Sequence, residues 1–192
     1  MIDTKSEQTA LAFFDERGWF RDGKYTNEGL KSLAELLHPL STVWGGDNWG
    51  PVFHELMGKI VPFSTELVVI REGAALLTWR EFEGTAGWHI PGSFVNPRED
   101  WQMTVSRIAK RELGCDVLFE RKLETFSNHQ NPRFHDLTVL AQCRLTSDPL
   151  KSKYDPGAGD PVQGQFAWFK EKPADILPVH NKSWVAIEDA LH

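Results

Sequence analysis

Cysteine is scarce: the 192 residues contain two, Cys115 and Cys143. They form no metal-ligand spacing, and two are too few for a disulfide-built scaffold. They read as reduced core thiols, and the chain as cytoplasmic. Long apolar runs are absent, so no segment reaches the roughly 20 residues a membrane helix needs. No leader peptide is expected at the N-terminus, and no membrane partner. Positive charge is in deficit, with 21 Lys and Arg against 27 Asp and Glu and a net charge of −6. That excludes a general nucleic-acid binder, which needs a basic surface, and leaves room for a local basic pocket. Internal repeats and low-complexity tracts are also missing. Tryptophan, by contrast, is abundant, with eight copies. Aromatics of this kind pack cores and interfaces, and one or two could stack on a base or sugar.

Residues 1–62 precede any strand signal. Gln8 to Glu16 reads as a helix stopped at Gly18. Asn27 reads as the N-cap of a second helix, in which Leu30, Leu33, Leu36 and Leu37 recur at helical spacing and predict a buried face. That face needs a cover, from its own chain or from a second copy in a homodimer. The run Trp44–Pro51 reads as a loop, and Val52 to Ile60 as a short helix. From residue 63 the pattern changes. Thr65 to Arg71 and Ala74 to Arg80 flank Glu72-Gly73, a hairpin signal. Val117 to Ser127 and Asp136 to Leu145 read as long strands. Residues 146–164 form a loop rich in Pro, Gly and Asp. Gln165 to Phe169 reads as a last strand, and Ser183 to Leu191 as a closing helix capped by Ser183. Strands on both sides of one central helix, with another helix at the end, predict an α+β domain with a mixed sheet between helices. The expected division is a helical extension over 1–62 and the α+β domain over 63–192.

The stretch that carries chemistry is Trp88 to Gly114, WHIPGSFVNPREDWQMTVSRIAKRELG. Pro91, Gly92 and Ser93 make a small-residue loop where backbone can approach a ligand closely. Pro97, Glu99 and Asp100 open a helix, and Gly114 closes it. Val105, Ile108, Ala109 and Leu113 form its buried stripe. Glu112 is a carboxylate in the last turn, with Arg107 and Arg111 nearby. Carboxylate and carbonyl oxygens suit Mg²⁺, and arginines suit diphosphate oxygens.

This stretch resembles the Nudix box, and W-x-I-P-G at Trp88–Gly92 resembles the W-x-L-P-G that precedes it. Aligned on Gly114, Glu99, Arg107 and Glu112 fall on the first glutamate, the arginine and the last glutamate. Ser93 stands where the box has glycine, Ile108 and Arg111 where it has glutamates. R-I-A-K-R-E-L-G, Arg107 to Gly114, is most similar to the GDP-mannose mannosyl hydrolase branch. The resemblance implies a Nudix-like mixed sheet between helices and Mg²⁺ (or Mn²⁺) held by Glu112, the Gly92 and Ser93 backbone and Gln163. It implies that Arg80 faces the diphosphate and that Glu66 lies near the substrate. Arg107 is expected on the substrate or pinning the loop. His129 and His135 are candidates for the general base, since imidazole titrates near working pH.

The function so implied is Mg²⁺-dependent hydrolysis of a small nucleoside-diphosphate-linked substrate such as a nucleotide sugar. Two alternatives are a pyrophosphohydrolase with unusual metal ligands and an inactive nucleotide-binding module of the same fold.

Overall fold

The computed structural model describes residues 9, 12–22, 24–37, 59–82, 84–129 and 135–191. The chain divides into two compact units, Met1–Phe53 and His54–His192. In the first, residues 12–16 are helical and the turn closes at Gly18, whose φ is +68°. A short ladder follows, β1 (Phe20–Arg21) against β2 (Lys24–Tyr25), and then helix α1 (Asn27–Leu37). Its cap is Thr26 instead of Asn27: the Thr26 hydroxyl accepts from Gly29 N–H at 3.1 Å, and its carbonyl from Leu30 N–H at 2.9 Å. Two leucines of the stripe face outward and Leu33 is half-buried. Leu30 is 53% exposed and Leu36 60% exposed, while Gly29 is buried. A Cβ at Gly29 would lie 2.3 Å from the Trp19 carbonyl, so the helix meets its neighbour through the residue without a side chain. Residues 38–58, which include the Trp44 loop and most of the Val52–Ile60 helix read from the sequence, lie outside the described residues.

The second unit is built on a seven-stranded mixed sheet. Strands β3 (Phe63–Arg71) and β4 (Ala74–Phe82) form the hairpin expected around Glu72-Gly73. Both turn residues have positive φ, 54° and 68°, which a two-residue hairpin of the favoured twist requires. On β4 lie β5 (Thr85–His89) and β9 (Phe166–Phe169), both antiparallel. On β3 lie β6 (Gly92–Phe94), antiparallel, and β8 (Leu137–Leu145), parallel. Strand β7 (Val117–Ser127) closes the order as the antiparallel partner of β8.

Alternation along β3 sends residues to two cores. Leu67 and Val69 pack with Val105, Ile108 and Ala109 of α2 (Trp101–Glu112). Val68 packs on the other face with Trp184 and Ile187 of α3 (Asn181–Leu191). The sheet is thus sandwiched between helices, the α+β architecture expected. The closing helix starts earlier than Ser183. A 3₁₀ turn at Pro178–His180 runs directly into Asn181, which leaves Ser183 buried within the first turn and not at the cap. Among the described residues no helix is long and apolar enough to cross a membrane.

Candidate active site

Three elements converge at the loop between β5 and α2. Helix α2 begins where the sequence places it. Asp100 caps it by accepting from Met103 N–H at 2.8 Å, and Gly114 terminates it with φ +69°. Residues 107 and 111 are four apart and share one face, directed at the β6 loop.

Arg107 is a clamp on that loop. Its Nε donates to Glu99 Oε1 at 2.7 Å and its Nη2 to Glu99 Oε2 at 2.6 Å. Nη2 also donates to the Phe94 carbonyl at 2.8 Å, and Nη1 to Ser93 Oγ at 3.2 Å. Of the two places expected for Arg107, on the substrate or pinning the loop, its donors are directed at the loop and at Glu99. Glu99 accepts in addition from Asn96 N–H and Nδ2, each at 3.0 Å. The Arg107 hydrogen bonds lead in holding the Glu99 carboxyl down at about 2.

A depressed carboxylate stabilises the fold fully above its unfolded pKa near 4.5, and that contribution is lost as pH falls toward 2. Glu99→Gln is therefore expected to destabilise the protein by roughly 2–3 kcal/mol at pH 7. The gap between variant and native should narrow as pH drops below about 4.5. Urea unfolding of both proteins from pH 7 to 3 checks this, and a gap independent of pH would contradict it.

One turn further along α2, Arg111 and Glu112 meet the loop and β5. Arg111 Nη2 donates to Glu112 Oε1 at 2.7 Å and to the Gly92 carbonyl at 2.9 Å. Its Nε also donates to Glu112 Oε1, at 3.1 Å. The other carboxylate oxygen, Oε2, faces His89 Nε2 at 3.8 Å. His89 stands opposite Thr78 in the β4–β5 register, and its Nδ1 donates to the Thr78 carbonyl at 2.9 Å. That bond fixes the tautomer and leaves Nε2 as the lone-pair nitrogen turned toward Glu112. Burial first, then the charges of His180, Arg80 and Arg111, push the His89 pKa down to about 3, so the ring is neutral at working pH.

Glu66 lies on β3 directly opposite Gly92, and its Oε1 is 2.9 Å from His180 Nδ1. The His180 and His89 rings are 6.0 Å apart. Glu66 Oε2 and Thr65 Oγ1 are buried and have no hydrogen-bond partner among the described residues.

Of the residues expected at the site, Glu112, Gly92, Ser93, Arg107 and Glu66 are brought together, and Arg80 lies close enough to His89 to act on its charge. Gln163 is engaged elsewhere, its amide oxygen accepting the Glu81 N–H on β4. His129 and His135 sit on the β7–β8 connection. There they contact each other (6.4 Å between rings), and His135 pairs with Ser127 Oγ at 2.9 Å. They are outside the converging group, so neither is positioned here as its base. His89 and His180 are the histidines that the fold places there, and sequence reasoning passed over both. The signal for His89 was its place in W-x-I-P-G on the face that Thr78 shares. His180 carried none, because its partner is 114 residues away.

A family model described as the NUDIX domain matches residues 64–190, and the chain belongs to the Nudix family of hydrolases. Hydrolases of this family act on small nucleotide-linked molecules and generally use divalent metals, usually Mg²⁺. The chain is 35% identical over 83 residues to the low-salt glycan biosynthesis protein Agl8 of Haloferax volcanii. That match covers 43% of this chain and 51% of the relative, so the chain matches about half the relative's length.

Among solved structures, it is similar to a UDP-X diphosphatase, with TM-score 0.52, 16% identity and coverage of 97% of this chain and 90% of that one. It is also similar to an ADP-ribose pyrophosphatase from Streptococcus suis, with TM-score 0.50, 22% identity and coverage of 69% and 89%. Likenesses at this identity establish the fold.

The donor set does not fit the family's metal as it is arranged. The two oxygens expected on the ion, Gly92 O and Glu112 Oε1, both accept from the same Arg111 nitrogen. Among the described residues no group of three or more His, Cys, Asp or Glu is disposed to hold a metal.

Proposed function

We propose that this chain hydrolyses a nucleoside-diphosphate-linked small molecule, nucleotide sugars first, at the junction of β5, β6 and α2. The observation that carries the reading is the pairing of opposite chemistries in one place. Arg111 is hydrogen-bonded to Glu112 and to the Gly92 carbonyl, Glu112 Oε2 faces His89 at 3.8 Å, and the positive charge of Arg80 reaches the same ring. Arginine forks are matched to diphosphate oxygens. Positive charge fixed where a diphosphate leaves stabilises the transition state of such a displacement more than any other single group does.

In this reading water attacks the anomeric carbon and the bond from that carbon to the diphosphate oxygen breaks. The electron pair departs on the diphosphate, which Arg80 and Arg111 receive. Glu112 takes the proton from the attacking water, and Arg111, which donates to Glu112 Oε1, orients that carboxylate. The unpartnered Glu66 Oε2 is a buried acceptor suited to a sugar or ribose hydroxyl. The sugar preference draws support from the R-I-A-K-R-E-L-G run, similar to the mannosyl hydrolase branch, and from the glycan-biosynthesis description of the Haloferax relative.

A panel of nucleotide sugars and dinucleotides, with and without Mg²⁺ or Mn²⁺ and scored by product, tests this. Free sugar plus nucleoside diphosphate is expected. Sugar phosphate plus nucleoside monophosphate would move the attack to phosphorus and make the protein a pyrophosphohydrolase. Binding without turnover of any substrate would leave a nucleotide-binding module.

A further inference from the structure

We propose that the Arg111 guanidinium is the built-in cation of the loop–helix site and shuts out a divalent ion by occupying its two protein oxygens. A single atom makes the case. Nη2 of Arg111 lies 2.9 Å from the Gly92 carbonyl oxygen and 2.7 Å from Glu112 Oε1. Nη1 adds a longer contact to Ser93 Oγ at 3.4 Å, and Nε returns to Glu112 Oε1 at 3.1 Å. A Mg²⁺ bound by the same two oxygens would sit about 2.0–2.1 Å from each. To reach both oxygens an ion would have to displace Nη2, which touches both and carries a full positive charge. Ion and guanidinium are mutually exclusive there.

The donors on α2 and in the loop that enters it do not rebuild a site around Arg111. Ile108, one turn back on α2, offers no ligand atom and is fully buried. Glu99 is fully engaged by Arg107 and Asn96. Glu112 Oε2 and His89 Nε2, at 3.8 Å, offer one oxygen and one nitrogen beside a cation already in place. Removing the guanidinium would change this. Glu112, the Gly92 carbonyl and the His89 lone pair would then face a common space without a resident charge. The carboxylate and carbonyl oxygens of that set suit Mn²⁺.

The Arg111 assignment does not depend on which substrate is hydrolysed, so its test uses the metal alone. Mn²⁺ binding to the full chain is followed by electron paramagnetic resonance for the native protein, Arg111→Ala, Arg111→Gln and the double variant Arg111→Ala/Glu112→Gln. Both single variants are expected to bind one Mn²⁺ about tenfold or more tightly than the native protein, as fits loss of one positive charge at contact distance. The double variant should lose that gain.

Arg111 is half-exposed on the helix, so these changes leave the core intact. A measurement on the native protein guards against a variant that fails to fold. The side-chain Nε–H signal of Arg111 should be unmoved by Mg²⁺ up to millimolar concentration. Variants that bind Mn²⁺ no more tightly than the native protein would overturn the proposal. So would displacement of the native Arg111 signal by submillimolar Mg²⁺. Failure of this test would leave the proposed hydrolysis untouched, and failure of the substrate panel would leave the Arg111 assignment untouched.

Discussion

Glu112→Gln is expected to lower turnover by about 10²- to 10⁴-fold, the range for loss of a positioned general base. KM should change much less. Glutamine keeps the shape and the oxygen that accepts from Arg111, so the hydrogen bonds to Arg111 Nη2 and Nε can persist. What disappears is the basic oxygen that faces His89 Nε2. A fall in kcat with KM unchanged marks a group needed in the transition state and not in binding. The check is steady-state kinetics on whichever substrate the native protein turns over. Turnover retained within about threefold would remove Glu112 from the base role. The Glu66–His180 pair, 2.9 Å between Oε1 and Nδ1, would then be the next place to look, with His180→Asn as the variant.

Trp184→Ala should cost about 3–5 kcal/mol of folding stability, the usual range for emptying a large aromatic from a packed core. Trp184 is fully buried on α3, in the cluster with Val68, Leu77, Ile90 and Leu140. Its indole N–H donates to Glu188 Oε1 at 2.6 Å, so truncation removes a hydrogen bond as well as packing. Ile90 belongs to the same cluster and is joined through Pro91 to strand β6, which links this core to the site. Chemical denaturation of native and variant protein measures the cost. A loss below about 1 kcal/mol would mean that α3 is not packed on the sheet as described.

The parts of the fold legible in the sequence are those written in local pattern. Glu72-Gly73 announced its hairpin because a two-residue turn with positive φ leaves few choices of residue. The α2 stripe of Val105, Ile108, Ala109 and Leu113 is buried throughout, and Gly114 stops the helix in the left-handed region. Where several signals competed, the outcome differed. Asn27 and Thr26 are both good caps, and the hydroxyl of Thr26 reached Gly29 N–H first. The leucines of α1 carried a strong period, yet the close approach at Gly29 turns that helix by its small residue and leaves Leu30 exposed.

Site residues divide in the same way. The proximity of Glu112, Gly92 and Ser93 was readable because they share one short stretch. Arg107 was readable as a site residue, but not its full commitment to Glu99 and Phe94, which depends on how the loop folds back over the helix. Arg111 stood out as a missing carboxylate and as a basic neighbour of Glu112 suited to a diphosphate. Its positive role depends on a contact back to Gly92, 19 residues earlier. His180 reaches Glu66 across the whole domain, a relation that no local spacing records.

The location of the site is tested most directly by backbone nitrogen–proton spectra of the native protein titrated with UDP and with GDP. The expected shifts fall on Gly92, Ser93 and the last turn of α2 through Glu112, with the side-chain Nε–H of Arg111 moving at the same concentrations. Shifts confined to the β7–β8 connection around His129 and His135, with Gly92 and Glu112 unmoved, would contradict the assignment.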